Sequence, residues 1–254
     1  MTRTLAGDFD YDTHGSGYSG QRRTDPRIAA LLHEALGDAR TVLNVGAGAG
    51  SYEPNDRYVV AVEPSAAMRG QRPTSAVPAI DATAEELPFD DDAFDAAMAT
   101  VTVHQWSDST KGLAELRRVS RGPIVVLTLD GDALDLLWLA EYAPELIAAE
   151  RRRYPAIDAI AAAIGATCDV IPVPIPIDCT DGFTEAFYAR PERFLDPGVR
   201  AAQSAWGFVE PDAALAAMEQ LRSDLESGAW DARYGHLRTQ KEFLGSLRLL
   251  VGRP

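Results

Sequence analysis

The sequence predicts an α/β fold, a doubly wound and mostly parallel sheet that carries a helical cap. An apolar run at residues 41–45 precedes a glycine-rich turn at residues 46–50 and a second apolar run at residues 58–62. Short apolar runs then alternate with helical patterns as far as Leu129, and a last apolar run lies at residues 246–252. Such alternation is typical of one sheet with helices packed on both faces.

The first helix is marked by its termini. Asp25 is placed to cap it, Pro26 occupies the first helical position, and Gly37 ends it. The segment between them has one apolar face, formed by Ile28, Leu31, Leu32 and Leu36. A surface helix therefore precedes the first strand.

The later elements follow from the same two periodicities, two residues for strands and 3.6 for helices. Ser65 caps a short helix after the second strand. We expect further strands at residues 77–80, 94–100, 123–129 and 246–252, and further helices at residues 109–119, 132–153, 157–164 and 211–227.

Three alternating prolines mark residues 170–177, VIPVPIPI. Alternate residues of a strand point their N–H groups to the same side, so Pro172, Pro174 and Pro176 would all lack donors on one side. That arrangement is tolerated only on the open side of an edge strand. The segment is therefore predicted to form an edge strand.

The glycine turn and the acid that follows the second strand predict a nucleoside site. Gly46, Gly48 and Gly50 can adopt positive φ and let a ligand approach the backbone. Glu63 is placed to accept hydrogen bonds from ribose hydroxyls. A structural turn and a solvated strand-end acid are the simpler interpretations of the same residues.

The turn departs from the dinucleotide pattern. Ser51 stands where Gly-x-Gly-x-x-Gly requires its third glycine, and no Gly-Lys-Ser/Thr follows. Residues 51–57 hold at most about two helical turns before the next strand, so little helix is left to bind a pyrophosphate. This favours a nucleoside cofactor without phosphate.

The charge and the Cys and His content of the chain limit which binding partners and metal sites are expected. The chain has 254 residues and a net charge of −14, which argues against a nucleic-acid surface or an anionic membrane as partner. Cys168 and Cys179 are predicted to be reduced thiols, and residues 1–12 carry no apolar signal core, so a cytoplasmic location is expected. His14, His33 and His236 lack metal-ligand spacing, and no metal is predicted.

With these features, the chain resembles the class I S-adenosylmethionine-dependent methyltransferases over about residues 11–129. The similar motifs are LNVGAGAGSY, VVAVEPSAAM, IDATAEELPF, MATVTVHQW and GLAELRRV. The resemblance implies a seven-stranded sheet with an antiparallel last strand and S-adenosyl-L-methionine as cofactor. Asn44 departs from the Asp common in the family, and Arg121-Gly122-Pro123 replaces its Pro-Gly-Gly.

The resemblance also implies roles for individual residues. Asp81 would accept the adenine amino group, although it could instead cap a helix. Leu87 or Met68 would pack on the purine, or only in the core. Arg22 and Arg23 would bind the cofactor carboxylate, or lie on the surface. The implied cofactor-binding residues are Tyr18, Arg22, Gly46, Ala47, Gly48, Gly50, Glu63, Pro64, Asp81, Ala82, Thr100 and Val101.

His104 is the predicted catalytic residue, as a general base for a substrate hydroxyl. A wall residue that only shapes the pocket is the alternative. Trp106 is expected to form core or pocket wall, or to stack on a ligand. Residues 178–243 are predicted to form a helical lid over the acceptor, walled by aromatic side chains that could instead form the core of the lid. These are Phe183, Phe187, Tyr188, Phe194, Trp206 and Phe208.

The predicted division is an N-terminal arm (residues 1–24), a Rossmann-like core (25–177 with 244–254) and the inserted lid (178–243). The function favoured is methyl transfer to a small molecule, since no Asn/Asp-Pro-Pro-aromatic signature of base methylation is present. Two alternatives stay open at this point: an NAD(P)-dependent oxidoreductase and a non-catalytic S-adenosylmethionine-binding protein. The oligomeric state is not predicted.

Overall fold

A computed structural model of the chain describes Phe9 and residues 18–254, without the side chains of Tyr18 and Ser19. Seven strands form the main sheet in the order β3-β2-β1-β4-β5-β9-β6. Neighbours from β3 to β5 are parallel, and β9 is antiparallel to both β5 and β6. The bounds are β1 Thr41–Val45, β2 Tyr58–Val62, β3 Ala79–Ile80, β4 Ala96–Thr100, β5 Ile124–Leu129, β6 Thr167–Pro172 and β9 Leu247–Arg253.

The predicted fold class is thereby confirmed, including the antiparallel last strand. A separate two-stranded sheet joins β7 (Ile175–Pro176) to β8 (Glu242–Phe243). The α-helices are Tyr18–Gln21, Pro26–Ala35, Ala66–Gly70, Ser109–Val119, Leu139–Tyr142, Pro144–Arg153, Ile157–Ile164, Pro197–Ala201, Pro211–Ser227 and Ala229–Tyr234.

The core lies on the two faces of the sheet, because neighbouring strand residues point to opposite sides. On one face, Val42 and Val125 pack with the helix Pro26–Ala35 and with the inserted segment. On the other face, Leu43 and Val126 pack with Ser109–Val119 and Ile157–Ile164. Both faces of the parallel strands are buried, which explains their nearly continuous apolar sequences.

The proline-rich segment corrects one prediction. Among the described strands β6 pairs with β9 alone, so it is an edge strand, but it ends at Pro172 instead of continuing to residue 177. Pro176 lies in β7, which pairs with β8 outside the main sheet. Because a proline has no N–H for the ladder, the chain leaves the sheet where the prolines begin.

The predicted long helical segment at residues 132–153 is helical, but it is not one continuous helix. The segment consists of a 3₁₀-helix, Gly131–Leu136, and two short α-helices, Leu139–Tyr142 and Pro144–Arg153. Pro144 starts a new helix because its ring fits the first turn and disrupts a preceding one. At Asp25 and Ser65 the predicted caps are confirmed, since each side chain accepts a backbone N–H of its own helix.

The aromatic residues of the inserted segment are mostly part of the core. Five of the six named in the sequence are buried: Phe183, Phe187, Tyr188, Phe194 and Trp206. Trp138, just before the helix Leu139–Tyr142, is hydrogen-bonded to this group, because its indole N–H donates to the Tyr188 carbonyl at 2.8 Å. Phe208, which is 40% exposed, is the exception and remains available to line a cavity.

Across residues 18–254 no helix combines the length and apolarity needed to cross a membrane.

Candidate functional site

The glycine turn is held against the end of β2. The Ala47 N–H donates to the Val62 carbonyl at 2.9 Å, and the Gly50 N–H donates to the Ala47 carbonyl at 2.9 Å. Gly46, Gly48 and Gly50 all have positive φ, of 67°, 51° and 94°. These backbone conformations are costly for residues with a Cβ, so the glycine pattern is required by the turn itself.

Residues 51–57 contain turns and bends but no helix. The turn therefore lacks the helix N-terminus that holds the pyrophosphate in a dinucleotide fold. This geometry speaks against the NAD(P)-dependent alternative.

Gly46 also faces a steric limit. A Cβ built on it would lie 2.1 Å from Thr102 Oγ1, in the segment after β4. The glycine turn therefore packs directly on Thr102, just after β4, and leaves no room for a Cβ at position 46. Gly37 offers a matched comparison, because it also has positive φ, of 55°, but a Cβ there would meet nothing within 4 Å.

We expect Gly46→Ala to lower the free energy of unfolding by about 1–3 kcal/mol more than Gly37→Ala does. Both variants carry the strain of an L-residue at positive φ, roughly 1–2 kcal/mol, but only Gly46→Ala adds the contact with Thr102. Urea denaturation of the two variants measures the difference. Equal losses would mean that the turn shifts away from Thr102 at no cost.

Glu63 is buried against the glycine turn, with 7% of its surface exposed. One carboxylate oxygen accepts the Gly48 N–H at 2.8 Å and the other accepts the Ser65 N–H at 2.8 Å. Burial raises the pKa of the carboxyl, while these two hydrogen bonds oppose the rise. A carboxylate has about four lone-pair sites, so two remain to accept hydroxyl groups from a ligand.

Arg69 connects Glu63 with Asp81. Its guanidinium donates to the Glu63 carbonyl at 2.7 Å and to the Asp81 carboxylate at 2.9 Å. Asp81 is 62% exposed and no helix begins there, so the helix-capping alternative is not seen. The Ala82 N–H donates to the Ile80 carbonyl at 3.1 Å, which makes a tight turn. Asp81 is thus presented to solvent beside the Glu63 backbone.

A buried ion pair between Arg72 and Glu53 contacts the glycine turn. Arg72 Nη2 lies 2.8 Å from each carboxylate oxygen of Glu53, and Arg72 also donates to the Gly48 and Val77 carbonyls. The Asn44 amide donates to Glu53 Oε1 at 3.0 Å. Asn44 replaces the acid common in the family that the sequence resembles, but Glu53 places a carboxylate beside it.

The end of β4 carries backbone strain. Val101 has a φ of 50°, which is a true outlier for a β-branched residue, and its N–H donates to the Leu127 carbonyl at 2.7 Å. Such strain persists where surrounding contacts impose it, and it clusters at functional sites. Thr100 is the last residue of β4, next to this outlier and partly exposed.

Tyr52, the second residue after the glycine turn, contacts the inserted segment. The Tyr52 hydroxyl donates to Asp181 Oδ2 at 2.8 Å, and Arg22 Nε lies 2.5 Å from Asp181 Oδ1. Burial beside Asp181 raises the pKa of Tyr52 well above its usual value, so the hydroxyl remains a donor. Arg22, which was predicted to bind the cofactor carboxylate, forms an ion pair with Asp181. Tyr18 was also predicted to bind the cofactor, but its side chain lies outside the described residues.

His104 lies in the 3₁₀-helix Val103–Gln105 and is 8% exposed. Burial lowers its pKa well below the usual value, and Arg153 and Arg22 act in the same direction. The Gln105 amide nitrogen is 2.7 Å from His104 Nε2, and the Tyr154 ring packs on the imidazole with a centroid distance of 4.3 Å. The imidazole is therefore neutral at neutral pH.

A cavity of about 540 Å³ opens beside His104. Arg153 and Phe208 form part of its wall, and the Arg153 guanidinium lies 4.7 Å from the centre of the Phe208 ring. The other lining residues are Trp106, Ser107, Ala149 and Arg152. The cavity thus combines aromatic walls with cationic groups. His104 and Trp106, two of its lining residues, belong to the segment that follows β4.

The structure brings together most of the predicted cofactor residues. Residues 46–50, Glu63 with Pro64, and Asp81 follow the carboxyl ends of the neighbouring strands β1, β2 and β3. Gly48 is hydrogen-bonded to Glu63, and Arg69 joins Glu63 to Asp81. Thr100 ends β4, the other neighbour of β1, and Val101 follows it. Met68, which is buried, lies beside Gly48, whereas Leu87 packs in the core. Sequence reasoning assigned no role to Tyr52, Glu53, Arg69, Arg72 or Asp181, because pairs distant in sequence leave no periodic signal.

No three His, Cys, Asp or Glu side chains among the described residues are grouped so that they could hold a metal ion.

A family model described as a methyltransferase domain matches residues 43–124. That range contains the glycine turn, Glu63, Asp81 and His104. No curated protein matches the chain.

Solved structures match over nearly the whole chain. One, described as a candidate methyltransferase from an antibiotic biosynthesis pathway of Anabaena variabilis, has a TM-score of 0.85 and 28% identity, and the match covers 92% of this chain and 99% of that one. A candidate methyltransferase from Bacillus halodurans has a TM-score of 0.52 and 16% identity, with 89% and 97% covered. The [4+2]-cyclase SpnF has a TM-score of 0.54 and 14% identity, with 99% of both chains covered. The last two show a shared fold alone.

Proposed function

We propose that a small organic molecule is the methyl acceptor of this chain, which belongs to the class I S-adenosylmethionine-dependent methyltransferases. It is an enzyme, and S-adenosyl-L-methionine is its cofactor. The acceptor class is the new part of the proposal. It is carried by one observation, the cavity of about 540 Å³ next to His104.

The residues of the glycine turn fit the cofactor. The Glu63 carboxylate would hold the ribose hydroxyls, because two of its lone-pair sites are not used by backbone donors. Residues 46–50 would close on the methionine part, and Asp81 with Ala82 would receive the adenine. When bound, S-adenosylmethionine supplies an electrophilic methyl group on a sulfonium sulfur.

The cavity supports a small acceptor. Pockets for small ligands are commonly about 300–1,000 Å³ and are lined by aromatic side chains with a few polar groups. This one has Trp106 and Phe208 as aromatic walls and Arg153 as a cation. A net charge of −14 disfavours DNA or RNA as the acceptor. The antibiotic pathway given for the Anabaena neighbour also agrees with a small molecule.

In this mechanism the protein chiefly positions the acceptor and excludes water. Orientation of this kind can lower a barrier by roughly 7–11 kcal/mol without a dedicated acid or base. Val101 and Thr100 at the end of β4 would face the reacting groups. His104 is neutral and remains the candidate base, and a base would contribute about 10²–10⁴-fold to the rate.

The proposed division of the chain serves this chemistry. Residues 178–243 form the acceptor-side lid on a core made of residues 25–177 and 244–254, and residues 1–24 form the arm. The Tyr52–Asp181 hydrogen bond supports the division, because it fastens the inserted segment to the glycine turn. The free thiols of Cys168 and Cys179 agree with a cytoplasmic enzyme.

The test is an acceptor screen that measures S-adenosylhomocysteine release. The wild type would be incubated with S-adenosylmethionine and separate pools of phenols, carboxylic acids, amines, transfer RNA, duplex DNA and peptides. We expect turnover in a small-molecule pool and none with nucleic acids. The rate of His104→Gln with the pool that responds then shows whether His104 acts as a base. Turnover only with a nucleic acid or peptide would overturn the proposal.

A further inference from the structure

A second cavity, of about 410 Å³, lies between the N-terminal helix Tyr18–Gln21 and the first part of the inserted segment. Gly20 and Gln21 line one side, and residues 178–193 supply the other. The Gly182 N–H donates to the Gln21 carbonyl at 3.1 Å, so the two walls are joined directly. This cavity shares no lining residue with the one beside His104.

Three arginines line this cavity: Arg23, Arg190 and Arg193. Most arginines in the described part of the chain form ion pairs with carboxylates. Within residues 18–254 these three form none. The acidic lining residue, Asp178, is paired with Arg27 at 2.7 Å. The lining thus has an excess of positive charge in a chain whose net charge is −14.

Arg190 is the most constrained of the three. It is half-buried, and its Nη2 donates to the Cys179 and Ala186 carbonyls at 2.9 and 2.7 Å. Its buried Nε has no hydrogen-bond partner among the described residues. Burial lowers the pKa of this guanidinium, which reflects the cost of holding its charge away from water.

Neighbouring groups compensate this charge only in part, because Asp178, which attracts the Arg190 guanidinium, is itself paired with Arg27. The guanidinium carbons of Arg190 and Arg193 lie 5.2 and 5.6 Å from the centre of the Phe187 ring, which attracts cations but carries no formal charge. Burial raises the pKa of the Cys179 thiol to about 12, so no thiolate forms at neutral pH. A ligand that carries negative charge would therefore be stabilised here.

We propose that this cavity binds a small oxyanion, a carboxylate or a phosphate, through Arg23, Arg190 and Arg193. Planar guanidinium groups match both oxyanions with paired N–H donors. The cavity is too small for a polyanion, and the acidic protein surface would repel one. Since the ligand bridges the N-terminal helix and the inserted segment, its binding also stabilises their contact. The proposal goes beyond the methyl acceptor and does not depend on it.

Calorimetric titration of the full chain with inorganic phosphate and with succinate, at constant ionic strength in sodium chloride, tests this site. We expect saturable binding of at least one probe, and about ten-fold weaker binding in Arg23→Gln and in Arg193→Gln. Arg222→Gln is the matched control, because Arg222 is exposed on the helix Pro211–Ser227, outside the cavity lining. It should leave the affinity within two-fold of the wild type.

The two probes separate the sources of the oxyanion: phosphate binding identifies a phosphate ligand, and binding of succinate alone identifies a carboxylate. Arg190→Gln is expected to remove binding, and its melting temperature shows whether the variant folds. If it does not fold, the affinities of Arg23→Gln and Arg193→Gln, whose side chains are exposed, test the proposal. Absence of saturable binding to either probe, or an equal loss in Arg222→Gln, would overturn the proposal. Titration of Arg190→Gln and Arg193→Gln with S-adenosylmethionine in parallel shows whether the cofactor site is intact.

Discussion

Replacing Glu63 with Ala is expected to weaken S-adenosylmethionine binding by at least about 10²-fold. Hydrogen bonds to a charged group contribute about 1.5–3 kcal/mol each, and two ribose hydroxyls would lose their acceptor. The variant also leaves the Gly48 and Ser65 N–H groups without the carboxylate that fixes the glycine turn. Calorimetric titration with S-adenosylmethionine and S-adenosylhomocysteine measures both affinities.

Glu86→Ala controls for the loss of one negative charge near the proposed cofactor site. Glu86 is exposed in the loop after Asp81, and its side chain has no role in the proposed site. Its affinity for both ligands should equal that of the wild type. A Glu63→Ala affinity within three-fold of the wild type, in a folded variant, would contradict the assignment of Glu63 to the ribose.

Glu185 is expected to make the stability of the protein depend strongly on pH. Its side chain is 1% exposed, one oxygen accepts the Ser246 N–H at 2.8 Å, and burial raises its pKa from 4.5 to about 7. The attraction of Arg248 opposes this rise but is smaller. The folded state therefore holds a proton more tightly than the unfolded state does, and stability falls as the pH rises from 4.5 through 7.

The loss attributable to Glu185 is about 3 kcal/mol, because one pKa unit corresponds to about 1.4 kcal/mol. Glu185→Gln keeps the shape of the side chain and removes its titration. The free energy of unfolding of the wild type minus that of Glu185→Gln should therefore fall by this amount between pH 4.5 and pH 8, as measured with urea. Glu226→Gln, at an exposed position, controls for the change in net charge. If the free energy of unfolding changed with pH in the same way in the wild type and in Glu185→Gln, Glu185 would not titrate as expected.

The sequence predicted elements well where local chemistry defines both ends. The helices Ser109–Val119, Ile157–Ile164 and Pro211–Ser227 lie where expected, since caps, glycines and prolines delimit them. The segment at residues 132–153 was misjudged because its apolar positions fit a long helix, whereas Pro144 starts a new one. The proline run indicated the sheet edge correctly, but tertiary pairing decided that the strand ends at Pro172.

The same limit applies to the site. The glycine turn and Glu63 were recognisable because they are adjacent to strands in sequence, and the structure joins them through the Gly48 N–H. The contact between Tyr52 and Asp181 spans 129 positions, and no periodicity reports such a pairing. The Glu53–Arg72 pair was equally hidden, because its buried environment depends on how three segments meet.

The position of β9 has a consequence for synthesis on the ribosome. β6 pairs in the main sheet with β9 and with no other described strand, and β9 comprises residues 247–253, after the whole inserted segment. While the nascent chain grows through the inserted segment, both β5 and β6 expose open edges. Unpaired edges of this kind favour aggregation of partly folded chains. The sheet can close only after β9 has been synthesised, so deleting residues 247–253 should produce an insoluble product instead of a weaker enzyme.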